Sequence, residues 1–184
     1  MAQWAAMTGS DSDALSAAAL ALAQEFAGRG IAVAGFVQQS ELDDQGHKHI
    51  DALRLGSGDR VRLATHGSPG AQLGVETFCS LTLYPEAFAA ARQWLQDGAG
   101  APLQLLDSLG KLEVQGRGHA AALAEALTRP GVVVFAARAG QLGFLMERLQ
   151  LPEASMVGAL DLDDPQDQRR EFAAAVVAAL GLQL

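Results

Sequence analysis

The stretch LQLLDSLGKLEVQGRG, which runs from Leu103 to Gly118, decides the fold that we expect for this chain. It begins with an apolar run that is typical of a buried strand. Beyond that run it carries an acid, flexible glycines and two cations: Asp107, Gly110, Lys111, Gly116 and Arg117. Because open parallel sheets bind ligands at the carboxyl ends of their strands, this stretch predicts a ligand site at one strand end.

The composition favours a folded domain with an acidic surface. The chain has 184 residues, a hydrophobic fraction of 49% and a formal net charge of -8, so we expect one domain, residues 1–184, with a sizeable core. An acidic balance repels phosphate backbones and anionic lipids, which argues against nucleic acid and membrane surfaces as partners. A local basic pocket is still compatible with this composition, because the charge in a cleft can oppose the net charge.

Cysteine content and hydropathy predict a cytoplasmic protein. Cys79 is the only cysteine, so no disulfide can form within the chain and a reducing compartment fits. No basic segment of the kind that opens a signal peptide is found. The longest apolar run, Phe172 to Leu182, has about half of the roughly 20 residues that a membrane-spanning helix needs. We therefore expect no membrane insertion.

Segments of strand and helix character alternate along the chain. Residues 31–37 and 132–136 have the clearest patterns of buried strands. Residues 49–55 and 60–65 flank a glycine-rich turn and predict a β-hairpin, whereas the polar residues 38–48 are expected to form a loop. This order predicts an α/β fold: a three-layer αβα domain with a mostly parallel sheet and one inserted hairpin.

The segment TGSDSDAL, Thr8 to Leu15, lies between the first expected strand and the first expected helix, where a P-loop would lie. A P-loop needs glycines whose N–H groups wrap phosphates, a lysine for the outer phosphates and a Ser or Thr for magnesium. This segment has one glycine, no lysine and two aspartates. A capped helix start is therefore favoured, with Ser10 and Asp13 as a capping pair. Ser10 and Ser12 could still bind a small anion at the helix N-terminus.

A resemblance to known families rests on LLDSLGKLE, Leu105 to Glu113. This segment is similar to the strand and loop of a family of P-loop nucleoside triphosphatases, in which an Asp-Glu pair ends the strand and a Gly-Lys and a Glu follow. It resembles even more closely a related bacterial family of unknown function, often found beside molybdate-transport genes, whose loop continues through Gly, a basic residue and Gly. The similarity extends over most of the chain and includes Gly116 to Gly118, Gly35 to Gln38, the hairpin, Cys79 to Leu81 and Val132 to Phe135.

The resemblance implies a P-loop NTPase-like fold, with Mg²⁺ held by Asp107 if a nucleotide binds. In the active triphosphatases the strand-end Asp helps to hold magnesium and the next Glu orients the attacking water. Asp107 matches the first, but Ser108 replaces the second, and the P-loop lysine has no counterpart. Two main parts of phosphoryl transfer are thus absent, so the resemblance favours binding over efficient hydrolysis. It also suggests a link to molybdate or molybdenum-cofactor metabolism.

The residues predicted to bind a ligand combine backbone donors, hydroxyls and cations. Lys111 offers a mobile point charge and Arg117 a planar fork for an oxyanion. In the alternative interpretation, Lys111 pairs with Glu113 or an aspartate and Arg117 lies in solvent, and for Arg117 this alternative is favoured. The complete predicted set is Gly9, Ser10, Ser12, Asp107, Gly110, Lys111 and Arg117, with Asp107 also the predicted metal ligand.

Four other side chains are weaker candidates. His47 and His49 would share one face of a strand, and a nearby aspartate could complete a metal site, but such pairs in polar segments are usually solvated. Cys79 is expected to be a small buried residue. His119 is expected to be a helix-start residue rather than a catalytic base.

Three functions are compatible with the sequence. The first is a degenerate P-loop-like protein that binds a small anion or a nucleotide near Ser10, Asp107, Lys111 and Arg117. The second is a slow Mg²⁺-dependent nucleoside triphosphatase. The third is an accessory protein of a transport or cofactor-assembly system, whose apolar C-terminal helix packs on a partner or on a second copy. The absent phosphate lysine favours the first and the third over the second.

Overall fold

The computed structural model describes residues 2–67, 74–164 and 168–182, and these form a nine-stranded sheet with helices packed on it. The strands are β1 (Gln3–Gly9), β2 (Val33–Leu42), β3 (Lys48–Arg54), β4 (Arg60–His66), β5 (Glu76–Phe78), β6 (Leu81–Leu83), β7 (Leu103–Leu109), β8 (Val132–Arg138) and β9 (Met156–Asp161). The helices are α1 (Ser12–Gly28), α2 (Pro85–Asp97), α3 (Lys111–Val114), α4 (Ala120–Ala126), α5 (Leu142–Leu149) and α6 (Arg169–Ala179).

The sheet is mixed, with strand order β5-β6-β4-β3-β2-β7-β8-β1-β9. On one side of the sheet, in the order β2-β7-β8-β1-β9, neighbouring strands are parallel. On the other side, in the order β2-β3-β4-β6-β5, they are antiparallel. The expectation of a mostly parallel sheet is therefore wrong, although the predicted β3–β4 hairpin is confirmed. Two segments account for the difference: residues 38–42 continue β2 instead of forming a loop, and residues 76–83 form the hairpin β5–β6.

Alternate residues of each central strand face two separate apolar cores. In β1, Trp4 and Ala6 pack in one core with residues of α2, α4 and α5. Ala5 and Met7 pack in the other core with residues of α1 and α6. Because side chains alternate across a strand, a strand that is apolar at every position must be covered on both faces. The central strands are covered in this way, which gives the three layers that the sequence predicts.

The backbones of β2 and β7 approach closely at Gly35, which pairs with Leu105. Gly35 has a φ of +132°, and a Cβ built on it would lie 1.9 Å from the carbonyl oxygen of Leu105. Only a glycine fits that position. The close pairing continues to Phe36 and Leu106, beyond which β2 turns to β3 as its partner. Gln38 and Asp107 are therefore neighbours at the point where the two strands part.

The last helix, α6, has 11 residues, and its apolar side chains face the core. No helix within residues 2–67, 74–164 and 168–182 is long and apolar enough to cross a membrane. The sequence pattern also predicts a glycine-rich loop over residues 66–74 and a final helix over residues 165–180. Residues 68–73 of the loop and 165–167 of the helix lie outside the described residues.

Candidate functional site

A cavity of about 540 Å³ opens at the carboxyl ends of the central parallel strands. The start of α1 and the segments that follow β7 and β8 form one side of it, and the strands β3, β4 and β6 contribute to the other. This is the place where open α/β sheets bind ligands. The strand-end side carries hydroxyls and cations: Ser12, Ser16, Ser108, Lys111 and Arg138.

Positive charge is concentrated at this cavity. The chain has two lysines, Lys48 and Lys111, and both line the cavity, as does Arg138 at the end of β8. The ammonium of Lys48 lies 3.9 Å from the carboxylate of Asp13, and the guanidinium of Arg138 lies 3.5 Å from the hydroxyl of Ser12. In a protein with a net charge of -8, this is a local reversal of sign that attracts anions.

Lys111 is exposed and makes no ion pair with any residue in the described part of the chain. Glu113, its expected alternative partner, is buried and accepts two backbone hydrogen bonds instead. Its Oε2 accepts from the N–H of Gly110 at 2.8 Å, and its Oε1 accepts from the N–H of His119 at 3.0 Å. Burial raises the pKa of Glu113, and these two donors oppose the rise. The Lys111–Glu113 pairing is therefore wrong, and the ammonium is left available at the cavity.

The loop between β1 and α1 is short and already contains carboxylates. Two residues, Ser10 and Asp11, separate the strand from the helix, whereas a P-loop needs a longer glycine-rich segment. The carboxylate of Asp163 accepts hydrogen bonds from the N–H and the hydroxyl of Ser10. Asp11 caps α1 by accepting from the N–H groups of Asp13 and Ala14, so the predicted Ser10–Asp13 capping pair is wrong. Ser10 therefore lies beside a carboxylate, Gly9 lies next to Leu162 and Leu15, and of the first loop's predicted ligands only Ser12 lines the cavity.

Asp107 is fully buried in β7. Its Oδ2 accepts from the backbone N–H of Gln38 at 2.8 Å, and its Oδ1 has no hydrogen-bond partner among the described residues. Burial raises the pKa of Asp107 to about 6, although the Ser16 hydroxyl and the Gln38 N–H oppose the rise. The carboxyl group thus supports the end of β7 from inside the protein and does not line the cavity.

Ser108, next to Asp107, presents its hydroxyl to the cavity from a strained backbone. Its φ is +59°, a conformation that costs a non-glycine residue about 1–3 kcal/mol. The β7–β8 ladder contains one extra β7 residue between Leu106 and Leu109, which is a β-bulge of the kind common beside functional sites. The hydroxyls of Ser108 and Ser16 lie 3.2 Å apart. The bulge therefore turns one polar side chain inward and the next one toward the cavity.

Magnesium needs several oxygen ligands at the corners of an octahedron, usually including one or two carboxylates. Asp107 supplies one buried carboxyl group, and Ser108 stands where a second acid is implied. Among residues 2–67, 74–164 and 168–182, no group of three His, Cys, Asp or Glu side chains could hold a metal ion. The described residues thus hold no such cluster at Asp107, and Mg²⁺ binding by Asp107 together with a nucleotide stays a prediction.

His119 precedes α4 and is 1% exposed, so its predicted place at a helix start is confirmed. Its ring lies between those of Phe36 and Phe88, with centroids 4.4 and 4.8 Å away. Its Nε2 lies 3.3 Å from the amide nitrogen of Gln38. Burial lowers the pKa of His119 to about 3, so the ring is neutral near pH 7 and packs as part of the core.

Arg117 is held away from the other predicted ligands. Its guanidinium pairs with the carboxylate of Glu76 and lies 5.8 Å from the centre of the Phe78 ring. It lines a different surface depression, beside α2 and α4, and does not line the cavity that contains Lys111. Arg117 lies at the surface, as the favoured alternative has it, with its side chain 37% exposed, and its ion pair joins the segment between β7 and α4 to β5.

The remaining candidates are separated from one another. His47 is exposed and lies 3.3 Å from Asp43, whereas His49 is buried and lies 3.8 Å from Asp51. The two rings therefore have different neighbours. Cys79 is exposed, with a φ of +54°, and it lines the cavity. The expectation that this cysteine is buried is wrong, because the β5–β6 turn exposes it.

Residues 4–142 match a protein family described as "Protein of unknown function (DUF2478)". The chain belongs to this family. The matched segment contains every predicted ligand residue and all the residues of the cavity. The expected kinship with a family of unknown function is thereby confirmed, while its position beside molybdate-transport genes stays a prediction. No curated protein matches the sequence.

The fold of this DUF2478 protein is similar to that of a solved nucleoside triphosphatase. The matching structure is described as "Solution Structure of a Human Cancer-Related Nucleoside Triphosphatase". The TM-score is 0.68, the sequence identity is 17%, and the match covers 97% of each chain. The predicted NTPase-like α/β fold is therefore confirmed at the level of the fold.

Sequence reasoning missed two of the three cations at the cavity, Lys48 and Arg138. Arg138 follows the clear strand pattern 132–136 and could have been identified as a strand-end residue. Lys48 gave no such signal, because it reaches the cavity only through the antiparallel pairing of β3 with its neighbours.

Proposed function

We propose that this protein binds a small anion or the phosphate group of a nucleotide in the cavity at the strand ends. In this proposal Lys111 and Arg138 contact the anion and Ser12 and Ser108 donate hydrogen bonds to it, with Gly110 leaving space for its approach. The observation that carries the proposal is that both lysines of the chain and a strand-end arginine line one cavity of an acidic protein.

The charges around the cavity support an anion rather than a cation. Lys111 has no carboxylate partner in the described ranges, so an incoming oxyanion does not have to displace one. Among the described residues, the Arg138 guanidinium has one hydrogen-bond partner, the neutral hydroxyl of Ser12 at 3.5 Å, and its charge also acts on Asp11. The rest of its planar fork of donors is open to an oxyanion. Lys48 lies near Asp13, at a distance typical of a weak, solvated pair, and its charge also acts on Asp11.

Binding is favoured over hydrolysis. The first loop is too short to surround a triphosphate, and Asp163 already occupies the donors of Ser10. Ser108 stands in the place of the water-orienting Glu. No observation on the described residues favours the slow Mg²⁺-dependent triphosphatase over binding.

Molybdate is one candidate for the anion, because the resemblance described above implies a place beside molybdate-transport genes. It is a tetrahedral dianion, as sulfate is, and the same cations would suit phosphate. A cytoplasmic location, a second copy of the chain, and a partner from transport or cofactor assembly also belong to this proposed context.

Thermal unfolding of the purified protein tests the proposal directly. The panel is ATP and GTP with magnesium, then phosphate, sulfate and molybdate. A ligand that binds only the folded state stabilises it by about 2.7 kcal/mol at a hundredfold excess over its Kd. We expect at least one member of the panel to raise the midpoint.

Three variants show whether the rise in the unfolding midpoint comes from ligand bound in the cavity. Lys111→Ala and Arg138→Ala are each expected to weaken binding by about tenfold, because each removes a charge-assisted contact. Arg29→Ala removes the same charge from an exposed pair at the far end of α1 and is the control. A response that is as large in Lys111→Ala as in the wild type would refute the site. No response to any ligand would favour the accessory, partner-binding function.

A further inference from the structure

The cavity is larger and more apolar than an inorganic oxyanion requires. Its volume of about 540 Å³ lies within the roughly 300–1,000 Å³ that is typical of sites for organic ligands. A tetrahedral oxyanion needs donors on all sides and gains nothing from apolar contacts. An inorganic oxyanion bound at the cations would therefore leave part of the cavity unfilled.

The two sides of the cavity differ in chemistry. The hydroxyls of Ser12, Ser16 and Ser108 and two of the cations belong to the strand-end side. The opposite side is mixed: the antiparallel strands and α2 supply the apolar Ile50, Leu63, Leu81, Leu83 and Phe88, together with the polar Ser40, Lys48, His66 and Ser80. A ligand that used both sides would carry an anionic group at one end and an apolar group at the other.

Part of the apolar side still faces solvent. Leu63 and Leu83 are buried, but Ile50, Leu81 and Phe88 are only half-buried. A ligand that covered these three would remove apolar surface from water, which is favourable in proportion to the area covered. The antiparallel strands that supply Ile50 and Leu81 are also the part of the sheet that the sequence did not predict in full.

We infer that the ligand is an organic anion, with its charged group at Lys111 and Arg138 and an apolar, ring-sized group packed against Ile50, Leu81 and Phe88. The inference rests on the proposed function, because it uses the same cavity and the same cations. It names the class of ligand: an organic phosphate or a similar organic oxyanion, in preference to molybdate or inorganic phosphate.

Two pairs of compounds with the same charged group separate the affinity that comes from the phosphate from the affinity that comes from the apolar group. Methyl phosphate and phenyl phosphate differ mainly in the ring, and inorganic phosphate and AMP differ in the nucleoside. Titration calorimetry with the full chain measures all four affinities. The ring-bearing member of each pair is expected to bind roughly tenfold to a hundredfold more tightly, as burial of a ring-sized apolar group implies.

Variants assign this preference to the apolar side. Leu81→Asn keeps the size of a half-buried side chain but makes it polar, and it is expected to remove most of the preference for phenyl phosphate while changing methyl phosphate affinity by less than about twofold. Ile50→Thr serves as a second variant if Leu81→Asn unfolds. Leu42→Asn, the same change at an exposed leucine outside the cavity lining, is the control.

The outcomes distinguish the inference from the proposed function. Equal affinities for methyl and phenyl phosphate, both weakened by Lys111→Ala, would overturn the organic-ligand inference and leave the anion site standing. The organic-ligand inference would also be overturned if Leu81→Asn and Ile50→Thr both kept the full preference for phenyl phosphate over methyl phosphate. If none of the four compounds bound, both the site and the inference would fail.

Discussion

The carboxylate of Asp163 lies against Ser10, where it accepts hydrogen bonds from the backbone N–H at 2.9 Å and from the hydroxyl at 3.0 Å. The two residues are 153 positions apart. Ser10 directly precedes the cap of α1, and a phosphate would bind there in a nucleotide-binding loop. The protein therefore provides its own anion at this position.

Removing that carboxylate should open the first loop to external anions. In Asp163→Ala the donors of Ser10 lose their partner and one negative charge leaves the helix N-terminus. We expect sulfate to raise the unfolding midpoint of this variant more than that of the wild type. Asp44→Ala, which removes an exposed acid elsewhere, is the control. An identical sulfate dependence in all three proteins would show that Asp163 does not exclude anions from Ser10.

The raised pKa of Asp107, about 6 against an ordinary value of 3.8, predicts a specific pH dependence. The unfolded chain releases this proton near pH 4, but the folded protein releases it only near pH 6. Asp107 therefore lowers the free energy of unfolding as the pH rises between these values, by up to about 3 kcal/mol. Asp107→Asn cannot ionise, so its stability relative to wild type should rise from pH 4 to pH 6 and then level off.

Urea denaturation of both proteins at pH steps from 4 to 8 measures this difference. Taking the difference cancels the other carboxylates, including Glu113, whose pKa burial also raises. A relative stability that stayed constant over the whole range would mean that the pKa of Asp107 is not raised. Asp44→Asn, the same change at an exposed position, is the control.

Glu113 should stabilise the segment between β7 and α4 through two backbone donors that it accepts from, the N–H groups of Gly110 and His119. Glu113→Ala leaves both donors without a partner in a buried place, where each costs about 1–3 kcal/mol. A loss of about 2–4 kcal/mol in the free energy of unfolding is expected. Glu147→Ala, at an exposed position of α5, should change stability by less than about 0.5 kcal/mol, and an equal loss in both variants would contradict this role.

Gly35 should not tolerate any side chain. In Gly35→Ala the new Cβ would overlap the carbonyl oxygen of Leu105, so β2 and β7 would have to separate, and Gln38 would move away from Asp107. We expect a loss above about 3 kcal/mol or failure to fold. Gly28→Ala, in α1 with no atom within 4 Å of the added Cβ, should be neutral or slightly stabilising. Circular dichroism during thermal unfolding compares the two, and similar midpoints would refute the role of Gly35.

Local features of the sequence predicted the parts of the site that depend on local structure. The apolar run before Asp107 placed this acid at the end of a buried strand, and the polar residues after it placed Lys111 at the strand's carboxyl end. Local sequence did not show that Arg117, only six positions from Lys111, lies outside the cavity that Lys111 lines. Its position depends on Glu76 and Phe78, which belong to a hairpin distant in sequence.

The sequence by itself determined the alternation of strands and helices, the burial of the central strands on both faces, and the acidic balance that makes a basic cavity conspicuous. These properties follow from hydrophobic period and composition, which are read along the chain. Only the tertiary structure decided that the sheet is mixed, that Asp163 binds Ser10, and that Lys48 and Arg138 join Lys111. Those contacts depend on the order and direction of strands, because residues far apart in sequence become neighbours only when the sheet assembles.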